Sequence, residues 1–122
     1  MPDNEQVIRD FVAAWARLDP AELASYFADD GCYFNIPAQP VRGRANIEQM
    51  IKGFTATWSA AEFELSKIAA AGDPVVTERI DRIETSRGNV DLPCAGIFEM
   101  ENGKIKEWRD YFDLNTYTNA MQ

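Results

Sequence analysis

The chain has 122 residues, 46% of them hydrophobic, and no apolar run approaches the roughly 18 residues that cross a membrane, so residues 1–122 are expected to form one globular domain without a membrane partner. Its 20 acidic residues outnumber its 12 basic residues, and the net charge of -8 repels phosphate backbones, which argues against a nucleic-acid partner. Histidine is absent and cysteine occurs twice, so the common zinc sites and Ser-His or Cys-His nucleophile pairs are excluded, and no metal or cofactor is expected.

Two helices are predicted at the start of the chain. Asp3 followed by Gln6 has the pattern of a capping box, and the apolar residues after it recur at helical spacing. These apolar residues are Val7, Ile8, Phe11, Val12, Trp15 and Leu18. Residues 19–22, Asp-Pro-Ala-Glu, repeat the start signal, which predicts a short second helix that ends in the polar residues 28–31.

A strand, a loop and a third helix are predicted next. Residues 32–36 alternate as in a strand, and Pro37 ends it because proline cannot donate to a sheet. Residues 37–43 are predicted to form a loop. Residues 45–54 carry their apolar side chains on one side, which predicts a helix that ends near Gly53.

The second half of the chain predicts four strands joined mostly by hairpins. They cover residues 62–68, residues 75–83, residues 90–100 and a stretch from Lys104 onward. The Asn102-Gly103 pair between the last two is a strong signal for a two-residue hairpin. Pro93 predicts a bulge or a sheet edge in its strand, and the residues after Asp113 are expected to form a last helical turn.

This order of helix, helix, strand, helix and four strands predicts an α+β fold. We expect a curved, mixed but mostly antiparallel sheet packed under three helices, with an apolar pocket in its concave face. Cones of this kind serve enzymes, ligand binders and assembly modules, so the function has to be argued from particular side chains.

An acid lies between two rings in the last predicted strand. Because side chains alternate along a strand, Asp110 shares a face with Trp108 and Phe112. An ionised carboxylate is costly among apolar rings unless it has a partner. The pattern therefore predicts a partner for Asp110.

A cation and a second acid occupy a similar position in residues 75–83. Arg79 and Asp81 share a face with Val75 and Ile83. The alternative is an ordinary exposed ion pair, which contributes less than about 1 kcal/mol. Two acids and one arginine on apolar faces nevertheless predict a buried site.

A hydroxyl and an amide share a face of the first predicted strand. Tyr33 and Asn35 lie two residues apart and point away from Phe34 and Ile36. Such a pair can fix a water molecule by offering it a donor and an acceptor. Taken alone, the pair can also be a partly exposed strand face.

These stretches resemble the limonene-1,2-epoxide hydrolase family. The resemblance rests on Cys-Tyr-Phe-Asn at residues 32–35, Glu-Arg-Ile-Asp at residues 78–81 and Trp-Arg-Asp-Tyr-Phe-Asp at residues 108–113, in the family's order and at similar separations. It covers most of the chain from the first helix onward. It implies the cone-shaped nuclear-transport-factor-2-like, or SnoaL-like, fold and a homodimer formed through the outer face of the sheet.

The resemblance also implies a function and roles for individual residues. The function is the addition of water to a lipophilic epoxide, giving a vicinal diol in one concerted acid/base step without a metal or cofactor. By resemblance, Asp110 is the general base, Tyr33 and Asn35 help hold the attacking water, Arg79 is the bridge, and Asp81 is the acid that protonates the epoxide.

The chemistry of these residues agrees with that reading. Opening an epoxide with water requires one proton to be taken from the water and one to be given to the ring oxygen. Asp81, Arg79 and Asp110 carry one more negative charge than positive, so a close and dry cluster retains one proton. The residues expected to line an apolar pocket, although each is by default simply core, are Ile83, Leu92, Trp108 and Phe112.

Two other functions remain open from the sequence. A ketosteroid-isomerase-like or polyketide-cyclase-like enzyme moves a proton beside a carbonyl, but it needs a neutral acid or tyrosine as oxyanion donor, which an arginine between both acids suits poorly. A non-catalytic ligand-binding or assembly module is the other, and it predicts that Arg79 and Asp81 face solvent or a subunit interface.

Location and cysteine chemistry give weaker expectations. The N-terminal residues are acidic and lack the pattern of a signal peptide, so a cytoplasmic location is expected. Cys32 and Cys94 are expected to be reduced thiols in the core. Glu78, Arg109 and Tyr111 have the parity of the outer sheet face and are candidates for the dimer interface.

Overall fold

The structure is a computed structural model that describes residues 3–120. Its helices are α1 (Asn4–Ala14), α2 (Pro20–Ala24), α3 (Arg44–Thr55) and α4 (Leu114–Ala120), with a 3₁₀ turn at Trp15–Arg17. Its strands are β1 (Phe27–Asn35), β2 (Pro40–Arg42), β3 (Trp58–Ala70), β4 (Val75–Thr85), β5 (Asn89–Glu101) and β6 (Lys104–Tyr111). Within these residues, no helix is long and apolar enough to cross a membrane.

The strands form one six-stranded sheet in the order β2-β1-β6-β5-β4-β3. The β1–β6 pair is parallel, and the other neighbours are antiparallel. Register shifts interrupt the β1–β6, β3–β4 and β5–β6 pairs, and such bulges bend a sheet. The predicted α+β class with a mixed, mostly antiparallel sheet is confirmed.

Aspartate caps begin the first two helices. The Asp3 carboxylate accepts the backbone N–H groups of Glu5 and Gln6, and the Asp19 carboxylate accepts the two corresponding N–H groups at the start of α2. Both caps therefore pair N–H groups that have no partner within their helix. The first helix is shorter than its apolar pattern, because Leu18 adopts a left-handed φ of 52° after the 3₁₀ turn.

The first strand begins earlier than predicted. Residues 28–31, predicted to end α2, belong to β1, which starts at Phe27. Aspartate and glycine disfavour strands, but Phe27 pairs with Ile105 of β6 and its side chain is fully buried. The prediction was wrong because a tertiary contact overrides the local propensity.

Two further elements differ in extent from the prediction. The predicted loop of residues 37–43 contains the short edge strand β2, which pairs Val41 with Tyr33. The predicted last helical turn is the seven-residue helix α4, which has no buried residue. Pro93 matches its prediction of an edge: β5 pairs with β4 there, whereas its pairing with β6 begins at Ala95.

Helices α1 and α3 cover one face of the sheet and close an aromatic core. Phe11 of α1 contacts Trp108 edge-on at 5.1 Å, and Phe98 of β5 stacks on the same indole at 5.1 Å. Trp15 stacks on Phe63 of β3 at 4.9 Å. Trp108 is thus held between neighbours, which fixes the position of the residues next to it on β6.

Candidate active site

Arg79 joins the two acids of the predicted site. Its Nε and Nη2 donate to Asp81 at 3.0 and 2.9 Å. Its Nη1 and Nη2 donate to Asp110 at 3.1 and 2.6 Å. The guanidinium therefore holds both carboxylates in one fixed plane, with the two-point geometry that arginine offers to carboxylates.

All three of these residues are buried. The exposed fractions are 1% for Arg79, 5% for Asp81 and 3% for Asp110. They come from β4 and β6, which lie on either side of β5, so the arginine spans three strands. Strand parity brought these residues to the inner face, as the sequence predicts.

A glycine makes the crossing of β5 possible. Gly96 pairs with Asp110 on one side and with Thr77 on the other. An ideal Cβ at this glycine would lie 2.5 Å from Asp110 Oδ1 and 2.8 Å from Arg79 Nη1. Both distances are shorter than real contacts allow, so the site requires glycine at this position.

Two neutral side chains complete the hydrogen bonding of the cluster. Trp108 Nε1 donates to Asp110 Oδ1 at 2.7 Å. The Thr77 hydroxyl oxygen accepts Arg79 Nη1 at 3.1 Å, and Thr77 is 1% exposed. A buried charge is stable only when its polar atoms are paired, and these contacts provide that pairing.

The electrostatics of the cluster favour a charged arginine and a strong base. Burial lowers the pKa of Arg79, but the carboxylates of Asp110 and Asp81 outweigh it and hold that pKa well above its usual range. Burial raises the pKa of the Asp110 carboxyl, while Arg79 and the Trp108 N–H act against this rise. A carboxylate with a raised pKa is a better proton acceptor once it is ionised.

Tyr33 and Asn35 lie beside this cluster. The parallel register of β1 and β6 pairs Tyr33 with Trp108 and Asn35 with Asp110, and the Tyr33 ring stacks on the Trp108 indole at 4.3 Å. Burial raises the pKa of Tyr33 well above its usual range. Its hydroxyl therefore keeps its proton at neutral pH and can donate it in a hydrogen bond.

A cavity of about 150 Å³ opens onto these polar groups. Its lining residues are Tyr33, Asn35, Ala38, Phe54, Trp58, Phe63, Asp81, Leu92, Cys94, Asp110, Phe112, Leu114 and Tyr117. The four polar residues Tyr33, Asn35, Asp81 and Asp110 thus face one space, and most of the remaining lining is apolar. A lipophilic molecule fits such a wall.

Two of the four expected lining residues lie in the cavity wall, and two do not. Leu92 and Phe112 line it. Ile83, 3% exposed, packs in the core. Trp108 is 1% exposed. The Tyr33 ring stacks on its indole, and its Nε1 donates to Asp110 although Trp108 does not line the cavity.

Several lining residues were missed by the sequence analysis. Phe54 ends α3, Trp58 begins β3, and Tyr117 lies in α4, so only the tertiary fold brings them together. Phe63 could have been found, because its strand parity is that of an inward residue and it pairs with Asp81. Thr77 could also have been found, since it shares its face with Arg79.

Cys94 is a cavity residue that contacts the acid. Its Sγ donates to Asp81 Oδ2 at 3.4 Å and to the Leu92 carbonyl at 3.3 Å. Burial raises the pKa of this thiol far above its usual value, and the charge of Asp81 adds to the effect. Cys94 is therefore a neutral hydrogen-bond donor rather than a thiolate nucleophile.

Metal-ligand atoms also meet at this point of the structure. Among residues 3–120, the cluster that could hold an ion is Asp81, Cys94 and Asp110, whose ligand atoms lie within 4.8 Å of one another. Arg79 already donates to both carboxylates, and its positive charge would oppose a cation there. The donor set does not fit a resident metal.

Comparisons with known proteins agree with this geometry. Residues 2–122 match the model of the limonene-1,2-epoxide hydrolase catalytic domain. The chain is 29% identical over 104 residues to epoxide hydrolase EphG of Mycobacterium tuberculosis strain H37Rv, covering 85% of this chain and 69% of that protein. An LEH-like epoxide hydrolase of M. tuberculosis has a similar structure, with a TM-score of 0.84 and 25% identity over 97% of this chain and 88% of that one.

More distant structures share the fold. An NTF2-like protein of unknown function from Burkholderia pseudomallei K96243 has a TM-score of 0.88 at 18% identity, covering 100% of this chain and 99% of the other. A SnoaL-like polyketide cyclase from Shewanella putrefaciens CN-32, described as putative, has a TM-score of 0.84 at 16% identity, covering 99% and 97%. The fold is NTF2-like, and by its match over residues 2–122 the chain belongs to the limonene-1,2-epoxide hydrolase family.

Proposed function

We propose that this protein adds water to a lipophilic epoxide and releases a vicinal diol in one concerted acid/base step. The observation that carries the proposal is the Asp81–Arg79–Asp110 bridge, whose two carboxylates both face a largely apolar cavity. Family membership supports an epoxide hydrolase. Taken with these contacts, it supports the residue roles that follow.

Asp110 is the base in this proposal. It accepts three N–H groups, two from Arg79 and one from Trp108, and such donors favour the ionised carboxylate. Asp81 accepts two N–H groups from Arg79 and the S–H of Cys94, which is a weaker donor than an indole N–H. In the proposed reaction Asp81 therefore carries the proton that is given to the epoxide, and it is the acid.

The step conserves atoms and protons. Asp110 takes a proton from the water as its oxygen attacks one epoxide carbon, and the bond from that carbon to the ring oxygen breaks. The ring oxygen receives the proton of Asp81 and becomes the second hydroxyl of the diol. Asp110 then holds a proton that must return to Asp81 before the next turnover, so the cycle needs no covalent intermediate and no cofactor.

The attacking water is held by the strand next to the base. Asn35 is the register partner of Asp110, and Tyr33 lies on the same face two residues earlier. A neutral tyrosine and an amide supply both donors and acceptors. Together with Asp110 they fix the direction in which the water oxygen points, which is the positioning contribution to catalysis.

The test is diol formation from a panel of epoxides that includes limonene oxide and cyclohexene oxide. We expect the wild-type protein to form diol in the presence of EDTA, and Asp110→Asn and Asp81→Asn to abolish it while the protein stays folded. Asp91→Asn is the matched control, because this acid is exposed and ion-paired to Arg82 on the outer side of β5. Undiminished turnover by Asp110→Asn would contradict the assignment of the base.

The isomerase, cyclase and binding alternatives receive less support. The match to the limonene-1,2-epoxide hydrolase family favours hydrolysis, whereas the likeness to a SnoaL-like polyketide cyclase at 16% identity shows only a shared fold. A binding module predicted Arg79 and Asp81 at the surface, and they are 1% and 5% exposed. If the folded protein formed no diol from any epoxide, the isomerase, cyclase and binding functions would be favoured instead.

A homodimer through the outer sheet face is part of the proposal. Val76 and Tyr111 are each 43% exposed, and both point to the sheet face opposite the helices. A dimer through this face, which family membership supports, would bury both side chains. Light scattering is expected to give twice the mass of the chain, and Val76→Glu is expected to yield a monomer; a wild-type monomer would contradict the interface.

We propose a cytoplasmic location. Cys32 and Cys94 are both free and buried, as in proteins of reducing compartments. Cell fractionation with an antibody against the native chain tests this location, and recovery outside the cytoplasm would contradict it.

A further inference from the structure

The cavity has a second polar group away from the carboxylates. Tyr117 of α4 lines it, and its hydroxyl oxygen accepts Trp58 Nε1 at 3.0 Å. Among the contacts of residues 3–120, no acceptor takes the proton of this hydroxyl. The Trp58 N–H is already used, so the free donor of this pair is the tyrosine O–H.

The register of Trp58 separates this donor from the carboxylates along the sheet. Trp58 pairs with Thr85 in the β3–β4 register, four residues along β4 from Asp81. At about 3.3 Å per strand residue, the two positions lie roughly 13 Å apart along the sheet. Apart from the polar residues, Cys94 and Trp58, the cavity is lined by apolar side chains. These are Ala38, Phe54, Phe63, Leu92, Phe112 and Leu114.

The hydroxyl also stands at the boundary of the cavity. Trp58 and Tyr117 together line a second, outer depression of about 510 Å³, whose other walls include Thr57, Ser59 and Arg87. The hydrogen-bonded pair is the wall that these two spaces share. A ligand with its reacting end at Asp110 therefore points its far end toward Tyr117.

The pair strengthens the tyrosine as a donor. A hydroxyl that accepts a hydrogen bond becomes more polarised and donates more strongly. A ligand acceptor placed beside this half-buried hydroxyl pairs with it, whereas an apolar ligand end gains nothing from it. This asymmetry allows one hydroxyl to select between substrates of the same shape.

We propose that Tyr117 is a specificity-determining residue, and that the preferred substrate is an elongated epoxide with an oxygen acceptor at the end remote from the epoxide ring. The inference rests on the proposed hydrolase function and adds the substrate class to it. The substrate is thus bipolar: the ring meets the carboxylates, an apolar body fills the middle, and a hydroxyl, ether or carbonyl oxygen accepts the Tyr117 proton.

The test compares two epoxides that differ in one group, 1,2-epoxyoctane and 7,8-epoxyoctan-1-ol. We expect Tyr117→Phe to raise KM for the alcohol by about 3- to 10-fold, as the loss of one neutral hydrogen bond does. We expect kcat for the alcohol and both constants for the alkyl epoxide to stay nearly unchanged, because binding remote from the reacting atoms is lost equally from ground and transition state.

Two control variants separate this role from a structural one. Tyr111→Phe removes a tyrosine hydroxyl from the outer sheet face, where Tyr111 is 43% exposed, and is expected to leave the preference for the alcohol unchanged. Trp58→Phe removes the N–H that polarises Tyr117, and is expected to weaken the preference less than Tyr117→Phe does.

The outcomes distinguish this inference from the function on which it rests. Equal losses for both epoxides in Tyr117→Phe would make the residue a structural contact of α4 and overturn the inference, while the hydrolase function stands. Hydrolysis of neither epoxide by the wild-type protein would contradict the function, and this inference with it.

Discussion

Gly96 and Asp110 face each other across the β5–β6 pair. The Asp110 carboxylate fills the space that a side chain on Gly96 would occupy. An ideal Cβ there would meet Asp110 Oδ1 at 2.5 Å and Arg79 Nη1 at 2.8 Å. Neither group can move away easily, because both belong to a buried network in which each polar atom is paired.

Gly96→Ala is therefore expected to displace Asp110 and Arg79. An added methyl group in a packed interior costs about 1 to 3 kcal/mol, and a misplacement of about 1 Å lowers turnover by about 100-fold. Circular dichroism during thermal unfolding and diol formation measure the two effects. Gly53→Ala is the matched control, because a Cβ there meets no atom within 4 Å; as a helix substitution it is expected to stabilise by up to about 1 kcal/mol. Full activity in Gly96→Ala would refute the need for glycine.

Strand parity explains why much of the site could be predicted from the sequence. A side chain's face in a strand depends only on its position modulo two, so Arg79, Asp81 and Asp110 could be assigned to one inner face without knowing the sheet order. The burial of β4 alternates along its length as this argument requires. Local periodicity was sufficient because no bulge falls between Arg79 and Asp81.

The cavity wall could not be predicted in the same way. Trp58 and Tyr117 are 59 residues apart in sequence and meet only in the folded chain. Ile83 has the parity of a lining residue but is covered by its core neighbours, because parity gives a face and not what packs against it. Gly96 was missed because nothing in its own neighbourhood shows that an arginine crosses over it.

Tyr33→Phe is expected to lower kcat while the fold is retained. The ring stacks on Trp108 at 4.3 Å, and phenylalanine preserves that contact. In the proposed mechanism this hydroxyl is one partner of the attacking water, so kcat is expected to fall by about 10- to 100-fold. Steady-state kinetics at neutral pH provide the measurement. An unchanged kcat would mean that Asn35 and Asp110 hold the water without the tyrosine.

The raised pKa of Asp110 gives a prediction for stability against pH. Burial raises this pKa above its usual value, so the folded state binds the proton more tightly than the unfolded state. The contribution of Asp110 to the free energy of unfolding is then fully present below the unfolded pKa and falls as pH rises through the folded pKa.

The Asp110→Asn variant lacks this titrating group. Comparing its free energy of unfolding with that of the wild type therefore isolates the effect of Asp110. The free energy of unfolding of the variant minus that of the wild type is expected to rise as pH increases from below 4 toward neutrality, and to level off above the folded pKa. Urea denaturation at a series of pH values measures the difference, in which titration of the groups outside the Asp81–Arg79–Asp110 cluster cancels. A difference that is flat or falls with pH would contradict the direction of the shift.

The thiols are expected to be unreactive in the folded protein. Cys32 is 2% exposed and Cys94 is 5% exposed, and burial raises the pKa of each above its usual value. A disulfide reagent such as DTNB should therefore label neither thiol at neutral pH, and both after urea is added. Rapid labelling of Cys94 without urea would show that the cavity opens far enough to expose Asp81 as well.

Arg79 is the residue on which the two carboxylates depend. A lysine carries the same charge but lacks the planar fork that reaches Asp81 and Asp110 together, so Arg79→Lys is expected to fold and to lose more than about 100-fold in turnover through misplaced carboxylates. Arg79→Gln removes the charge, leaves the buried acids without a cation, and is expected to destabilise by about 3 to 5 kcal/mol at neutral pH.

The matched control lies three residues along the same strand. Arg82 points to the other face, where it pairs with Glu64 and Asp91 and is 37% exposed. Arg82→Lys and Arg82→Gln are expected to change the free energy of unfolding by less than about 1 kcal/mol and to leave turnover unchanged. If Arg79→Lys kept full turnover, one ammonium group would be enough to serve both acids, and the bridging geometry would lose its place in the mechanism.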